Sequence, residues 1–317
     1  MQWAQGVQVT RLIQRTRLIQ LKGRIRFKRG GICAWGLVAA IGAHSVCAEG
    51  TPNQGRLLAT GGGSQIEGTA GGGIVPLAVL AGYGVEDQQG GTAFASRVQL
   101  KDYRLDIFGA AWSWDNRVEI SIARQELYLN KLAGSLGVSD DTIALNIFGV
   151  KARLVGDLIY GDLPQISAGL QYKVNEDFFI PHAAGAQDDK DWDAYVAATK
   201  LFLGGAFSHT IWVNGVARAT RANQGGLVGF GGDNNDRHEI VYEGSVGLFL
   251  NRHWATGFEY RQKPDNLSFA REQDWRDVFV AWFPNKQWSV IAAWVDLGAI
   301  ATLHNQQGWY ASVQGSF

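Results

Sequence analysis

Beyond residue 48, apolar and polar positions alternate in segments of roughly ten residues, set apart by clusters of turn residues. In "RVEISIA", Val118, Ile120 and Ile122 fall on one face and Glu119, Ser121 and Ala123 on the other. "PQISAGLQYK" sets Ile166, Ala168, Leu170 and Tyr172 against Gln165, Ser167, Gly169, Gln171 and Lys173. "EIVYEGSVGLFL" and "WATGFEYR" divide in the same way. A period of two is that of a pleated strand, so one face of each segment meets an apolar medium. No stretch after residue 48 holds 18 continuous apolar residues, as a membrane helix would require. Many short alternating segments between turns point to an all-β, antiparallel transmembrane β-barrel.

Strands are expected near 92–101, 103–114, 116–126, 142–155, 163–173, 192–203, 206–220, 238–250, 254–263, 275–284, 287–297 and 308–317. The segment 72–83, "GGIVPLAVLAGY", reads as a further strand, and single-chain barrels have even strand numbers, which asks for a partner within 55–68. The expectation is therefore 14 strands, with 12 strands plus an N-terminal plug as the alternative. Six glycines at 61–63 and 71–73 weaken the strand reading, because glycine loses most backbone entropy on ordering and packs nothing. Within 142–155, Ile143, Leu145 and Ile147 run out of phase with Phe148, Val150 and Ala152, which predicts a bulge near Asn146–Ile147.

Connections alternate between short (115–116, 203–206, 251–253, 284–287) and long (127–141, 174–191, 221–237, 263–274, 298–307), as periplasmic turns and extracellular loops do. Tryptophans near strand ends (Trp112, Trp114, Trp254, Trp275, Trp282, Trp288, Trp294, Trp309) suit interfacial girdles. The final "GWYASVQGSF" places Trp309, Ala311, Val313, Gly315 and Phe317 on the lipid side. It resembles the C-terminal assembly signal of outer-membrane barrels, carried here by Trp309, Val313 and Phe317, although Gly315 stands where an aromatic is usual.

Charge divides the chain. Of 29 Lys and Arg, eight lie in residues 1–48, which hold no acid; the other 21 face 29 Asp and Glu, a net of −8. A basic start followed by "ICAWGLVAAIGAHSVCA" reads as a signal peptide over 1–48, cleaved after Ala48 by the Val46/Ala48 small-residue rule, with lipoprotein processing at Cys47 as the weaker alternative. Residues 1–20 read as a mis-annotated start, with Leu21 the true one. The remaining domains would be a Gly-rich 49–71, plug or first strand, and a barrel over 72–317. Both cysteines fall in 1–48, which excludes cysteine and structural zinc chemistry beyond it.

The blocks "FGAAWSWDNRVEISIARQ" (108–125) and "NIFGVKARLVGD…LPQISAGLQYK" (146–173), with "LLATGGGSQIEGTAGGG" upstream, resemble an uncharacterised, numbered domain-of-unknown-function family of Gram-negative proteins that look like outer-membrane barrels. The resemblance implies that fold and location and brings no catalytic motif.

Strand parity assigns Arg97, Arg104, Asp106, Glu119, Lys173, Lys200, Arg218, Glu243, Glu259 and Arg261 to the lumen, as a channel lining or as a salt-bridged filling. The histidines lack metal-ligand spacing. Ser208 and His209 point to opposite faces of a strand, so the pair does not form a nucleophile and base. "QDDKDWD" (187–193) lacks the spacing of a calcium loop and reads as a solvated loop; "GGLVGFGGDNND" (225–236) lacks the helix a phosphate cradle needs. No catalytic residue, cofactor or metal is expected, and the acidic chain does not suit nucleic acid. The function expected is porin-like passage of a small solute; a non-conducting structural or surface-interaction barrel is the alternative, and an outer-membrane hydrolase comes third. Expected partners are outer-membrane lipid and lipopolysaccharide, the barrel-assembly machinery and the solute.

Overall fold

The computed structural model describes residues 55–129, 142–206 and 208–317; the signal peptide, cleavage site and start expected from the sequence lie outside them. The strands are β1 (Gly63–Ser64), β2 (Ala70–Gly71), β3 (Gln89–Leu100), β4 (Arg104–Trp114), β5 (Val118–Tyr128), β6 (Thr142–Val155), β7 (Gln165–Asn175), β8 (Lys190–Ala206), β9 (His209–Thr220), β10 (Glu239–Phe249), β11 (Trp254–Arg261), β12 (Trp275–Trp282), β13 (Trp288–Asp296) and β14 (Gln307–Ser316). One short helix, α1 (Phe179–Ala183), lies in the loop before β8. Strands β3 to β14 pair antiparallel in sequence order and close between β14 and β3 as a barrel of 12. The seam ends with Phe317 N–H donating to Gly91 O (3.0 Å) and Gly91 N–H to Phe317 O (2.9 Å).

The count corrects the expectation of 14 strands. The two-residue hairpin β1–β2 is separate from the barrel sheet, and 72–83 contributes no strand to the wall. Residues 59–84, buried almost throughout, instead lie in the lumen. Pro76 cannot donate in a ladder, and the small residues around it let the segment thread among inward side chains. The barrel wall therefore starts at Gln89, not at 72. A lumen of eight strands fills with side chains and one of 16–18 holds a channel; 12 strands leave room for a segment of chain.

One rim carries tight turns. At 115–116 both residues have positive φ (54° and 47°), with Arg117 N–H donating to Trp114 O (2.9 Å), and Asp and Asn tolerate that conformation better than other residues that carry a side chain. Most long connections gather at the other rim, with two exceptions to the division: β3 and β4 join there through the short 101–103, and the nine-residue 156–164 between β6 and β7 lies at the tight-turn rim. The bulge expected at Asn146–Ile147 is absent. Pairing between β5 and β6 is regular across it, and the irregularity falls between Arg153 and Val155 on the β7 side. Ile143, Leu145 and Ile147 simply face inward while Phe148 and Val150 face outward, so this strand is apolar on both faces.

Outward positions form an apolar belt, including Ile120, Ile122, Val150, Leu170, Val196, Val246, Val280 and Val313, with Trp114, Trp254, Trp282, Trp288, Trp294 and Trp309 exposed among them. Trp275 departs from the expected girdle; it is 4% exposed and points inward, beneath the Arg261 and Lys263 cations. No helix among the described residues is long and apolar enough to cross a membrane. A closed barrel with an apolar exterior leaves no backbone group unpaired toward lipid, and it is by strands that this chain spans the outer membrane.

Candidate functional site: the filled lumen

The lumen is organised by one side chain of the N-terminal segment. Between β1 and β2 the chain turns tightly, with Gly68 at φ +98° and its N–H donating to Gln65 O (2.8 Å). A side chain at Gly68 would press on the Ile122 carbonyl, so the turn needs glycine for both conformation and clearance. The turn presents Glu67 to three cations on three strands. Oε1 lies 2.6 Å from Lys173 Nζ of β7 and 2.7 Å from Arg261 Nη2 of β11, and Oε2 lies 3.3 Å from Arg218 Nη1 of β9. Two wall carboxylates complete the set: Asp193 is 2.6 Å from Lys173, and Glu243 is 2.5 Å from Arg218 Nε. Three cations thus meet three carboxylates, all almost wholly buried. Thr220 donates to Asp193 (2.6 Å), and Arg218 to Gln171 (2.8 Å). Buried charge is tolerated only when paired and hydrogen-bonded in this way.

Three further contacts anchor the segment. Glu119 of β5 accepts from Thr69 Oγ1 (2.5 Å) and from Ala81 N–H (2.7 Å), with Lys151 of β6 3.4 Å away. Ala78 N–H donates to Thr199 Oγ1 (2.8 Å), and Ala78 O accepts from Gln165 (2.6 Å) and Ser167 (2.5 Å). Ile74 N–H donates to Glu259 Oε2 at 2.7 Å. Each is a strand side chain holding plug backbone, which needs inward polar residues on the wall and small residues in the plug.

The long-loop mouth is covered as well. A 3-10 turn at Asn223–Gly226 carries buried Asn223 and Gln224, and the loop continues through buried Leu227 and Phe230. Gln224 donates to Glu272 (2.7 Å) and to Ala299 O (3.1 Å), Asn175 donates to Leu227 O (2.9 Å), and Lys263 bridges to Glu272 at 2.8 Å. Burial pushes the Glu272 carboxyl up and the Lys263 ammonium down, each against its charged form. Two small cavities lie in the lumen: one of ≈ 60 Å³ lined by Trp212, Phe249, Phe279, Phe283, Ile291 and Glu259 among others, and one of ≈ 20 Å³ among Ile66, Leu105 and Leu227.

Of the ten residues assigned to the lumen by parity, Glu119, Lys173, Arg218, Glu243, Glu259 and Arg261 point inward and are buried. Arg97, Arg104, Asp106 and Lys200 are corrected, since they share the outward phase of their strands. Arg97 pairs with Asp106 across β3–β4 (2.6 Å) and Arg104 stacks on Tyr128 (3.8 Å to the ring centroid), while Lys200 is held by the carbonyls of 157, 160 and 161. Parity failed on β3 and β4 because the inward residues there, Val98, Leu105 and Ile107, are apolar and pack under the plug. The acids of "QDDKDWD" form neither a calcium loop nor a freely solvated one: Asp188 and Asp191 hold Arg221, and Asp193 enters the lumen network. His209 directs Nδ1 at the Phe249 carbonyl (3.1 Å), and Ser208 sits at φ 63° in the turn before it. Glu67, Lys151, Asp193 and Asp277 were missed. The last three follow the period-two rule on their strands and were legible, whereas Glu67 was not, because its segment is not a strand. Phe317 lies on the outside, edge-on to Trp112 at 5.0 Å, over a space that Gly91 leaves clear.

Residues 60–314 match the family model described as "Protein of unknown function (DUF3034)", and the chain belongs to that family. Curated proteins give no sequence match. Among solved structures, the chain is similar to the KdgM porin (10% identity, 71% of this chain and 99% of that one, TM-score 0.45). It is also similar to the outer-membrane protein Omp33 of Acinetobacter baumannii (10% identity, 74% and 100%, TM-score 0.44) and to phospholipase A from the Escherichia coli outer membrane (8%, 72% and 91%, TM-score 0.34). Likeness at this level carries nothing about solute or chemistry.

Proposed function

We propose that this DUF3034 barrel passes a small solute across the outer membrane, and that its N-terminal segment is the gate. The observation that supports this reading is the ionic attachment of the plug: a single glutamate, Glu67, sits among Lys173, Arg218 and Arg261 of the wall. A barrel filled only for stability would be expected to use apolar packing, which is often as stable as a buried ion network. Charges attract water and small polar solutes once the plug is displaced, and the wall they line would then be the path. Lipopolysaccharide around the long-loop rim and the barrel-assembly machinery, meeting the strand that ends at Phe317, belong to the same reading.

Planar-bilayer recording tests it. The described residues contain no cysteine, so Ala78→Cys with Thr199→Cys can tether plug to wall. Glu67→Gln should raise open probability over wild type, and oxidation of the tethered pair should abolish it. The second reading, a non-conducting barrel, is favoured by the plug, which occupies the lumen and leaves small cavities. It would be preferred if folded wild type and Glu67→Gln both stay silent at every voltage.

A further inference from the structure

Among the described residues, the interior carboxylates divide into two kinds. Glu67, Asp193 and Glu243 meet Lys173, Arg218 and Arg261, and Glu119 meets Lys151. Glu259 of β11 and Asp277 of β12 meet no cation. They are direct cross-strand partners on the inward face, 0% and 1% exposed. The nearest cation along β11, Arg261, is engaged with Glu67 and Glu243. No donor reaches either oxygen of Asp277 or Oε1 of Glu259 while both are ionised, although the two carboxylates lie within hydrogen-bonding reach of one another; Glu259 Oε2 accepts from Ile74 of the plug. The next inward position across the sheet, Ser245 of β10, pairs in register with Glu259, is 6% exposed, and its hydroxyl also lacks a partner. Four oxygen atoms on three adjacent strands are therefore buried in one row with no donor or cation from the rest of the chain.

The plug is shaped around this row. A side chain on Gly72 would collide with the Glu259 carboxylate, and one on Gly73 would begin 3.3 Å from Asp277 Oδ2 and 3.4 Å from Glu259 Oε2. The glycine run 71–73, disfavoured in a strand, lets the plug backbone lie directly against the carboxylates. The 60 Å³ cavity touches Glu259 beside Gly71 and Gly72; its remaining lining is chiefly apolar and includes neither Asp277 nor Ser245. Two carboxylates that face one another in a dry interior cannot both stay charged without a counter-ion.

We propose that Glu259, Asp277 and Ser245 bind one hard divalent cation beneath the glycine turn of the plug. Carboxylate and hydroxyl oxygens suit calcium, which accepts bidentate carboxylates and irregular geometry, better than softer metals. Two negative charges match a divalent ion, and the bound ion would fix Glu259, whose other oxygen holds Ile74. Cation binding is an equilibrium property separate from conduction, so a silent bilayer recording would leave this site untouched, and a failed titration would leave the gate untouched.

The experiment is calorimetric titration of calcium into folded, chelator-stripped barrel, with folding checked by heat-modifiable gel mobility. One saturable calcium per barrel is expected. Asp277→Asn should weaken it by about tenfold or more through the loss of ligand charge, and Ser245→Ala, the gentler variant, should weaken it by a few-fold. Asp189→Asn in the outer loop should leave it unchanged. No saturable binding to wild type, or equal binding by Asp277→Asn and wild type, would overturn the proposal. So would an infrared carboxylic-acid band at neutral pH that calcium fails to displace, because the pair would then hold a shared proton instead.

Discussion

Two sectors of the barrel wall solve burial in opposite ways. Across β7–β11, charge points inward and apolar residues outward: Lys173, Asp193, Arg218, Glu243 and Arg261 face the plug, while Leu170, Val196, Val213, Val246 and Phe258 face lipid. Across β3–β6, near the long-loop rim, the order inverts. Val98, Leu105, Ile107, Leu127 and Leu145 point inward, and Arg97, Asp106, Arg124 and Glu126 point outward, paired with one another. The inside of a plugged barrel is a protein core, and its polarity follows whatever part of the plug it touches. Glu67 imposes ions on one sector; Ile66 and Ile74 impose a hydrophobic patch on the other. Outside, charges near a rim remain within reach of headgroups and water, where they cost little.

The contrast can be broken most severely in the charged sector. Arg218→Ala removes the close cation from Glu243, leaving only Arg261 at 3.5 Å, and one of the three from Glu67; losing one partner of a buried pair typically costs about 3–5 kcal/mol. Urea unfolding of the barrel in lipid vesicles should show a loss of that size. In the apolar sector, Leu105→Ala removes a side chain 4% exposed and leaves a cavity, for about 2–3 kcal/mol by the same assay, toward the low end for such truncations because the plug can settle onto it. The outward pair should matter least of the three: Asp106→Asn, whose partner Arg97 is 38% exposed, should cost under about 1 kcal/mol and less at high salt. If Asp106→Asn instead matched Arg218→Ala, the outward sector would be buried against a partner, and the contrast between the two would fail.

The smallest effect lies in the outer loops, beyond both sectors. Hydrogen bonds from the Ser268 hydroxyl and N–H hold the Asp233 carboxyl below its ordinary value. A depressed carboxyl stabilises the folded loop above its unfolded value near ~3.9 and loses that contribution as pH falls through the lower folded value. Amide exchange at residues 231–236 should therefore quicken only in strong acid, and Ser268→Ala should shift that onset upward.

Much of this was legible in the chain because alternation is a local property. The pleat fixes which side chains share a face, so "RVEISIA" and "GWYASVQGSF" announce their outward sides without any knowledge of neighbours. Loop lengths announced the two rims. Parity cannot say which face is the interior when both are apolar, as in 142–155, or when the interior is the apolar one, as on β3 and β4. There the charges of Arg97, Arg104 and Asp106 pointed to the wrong side.

The sequence by itself determined strands, turns and an apolar exterior, since each depends on residues a few positions apart and on a uniform solvent, the lipid. Only the tertiary structure decided the strand count, the place of residues 59–84 and the partners of Glu67, which lie 106, 151 and 194 positions away at Lys173, Arg218 and Arg261. The physical reason is the same for all three. A lumen is an environment assembled from every strand at once, so whether it holds water, an ion network or a folded segment is set by closure of the barrel rather than by any local pattern.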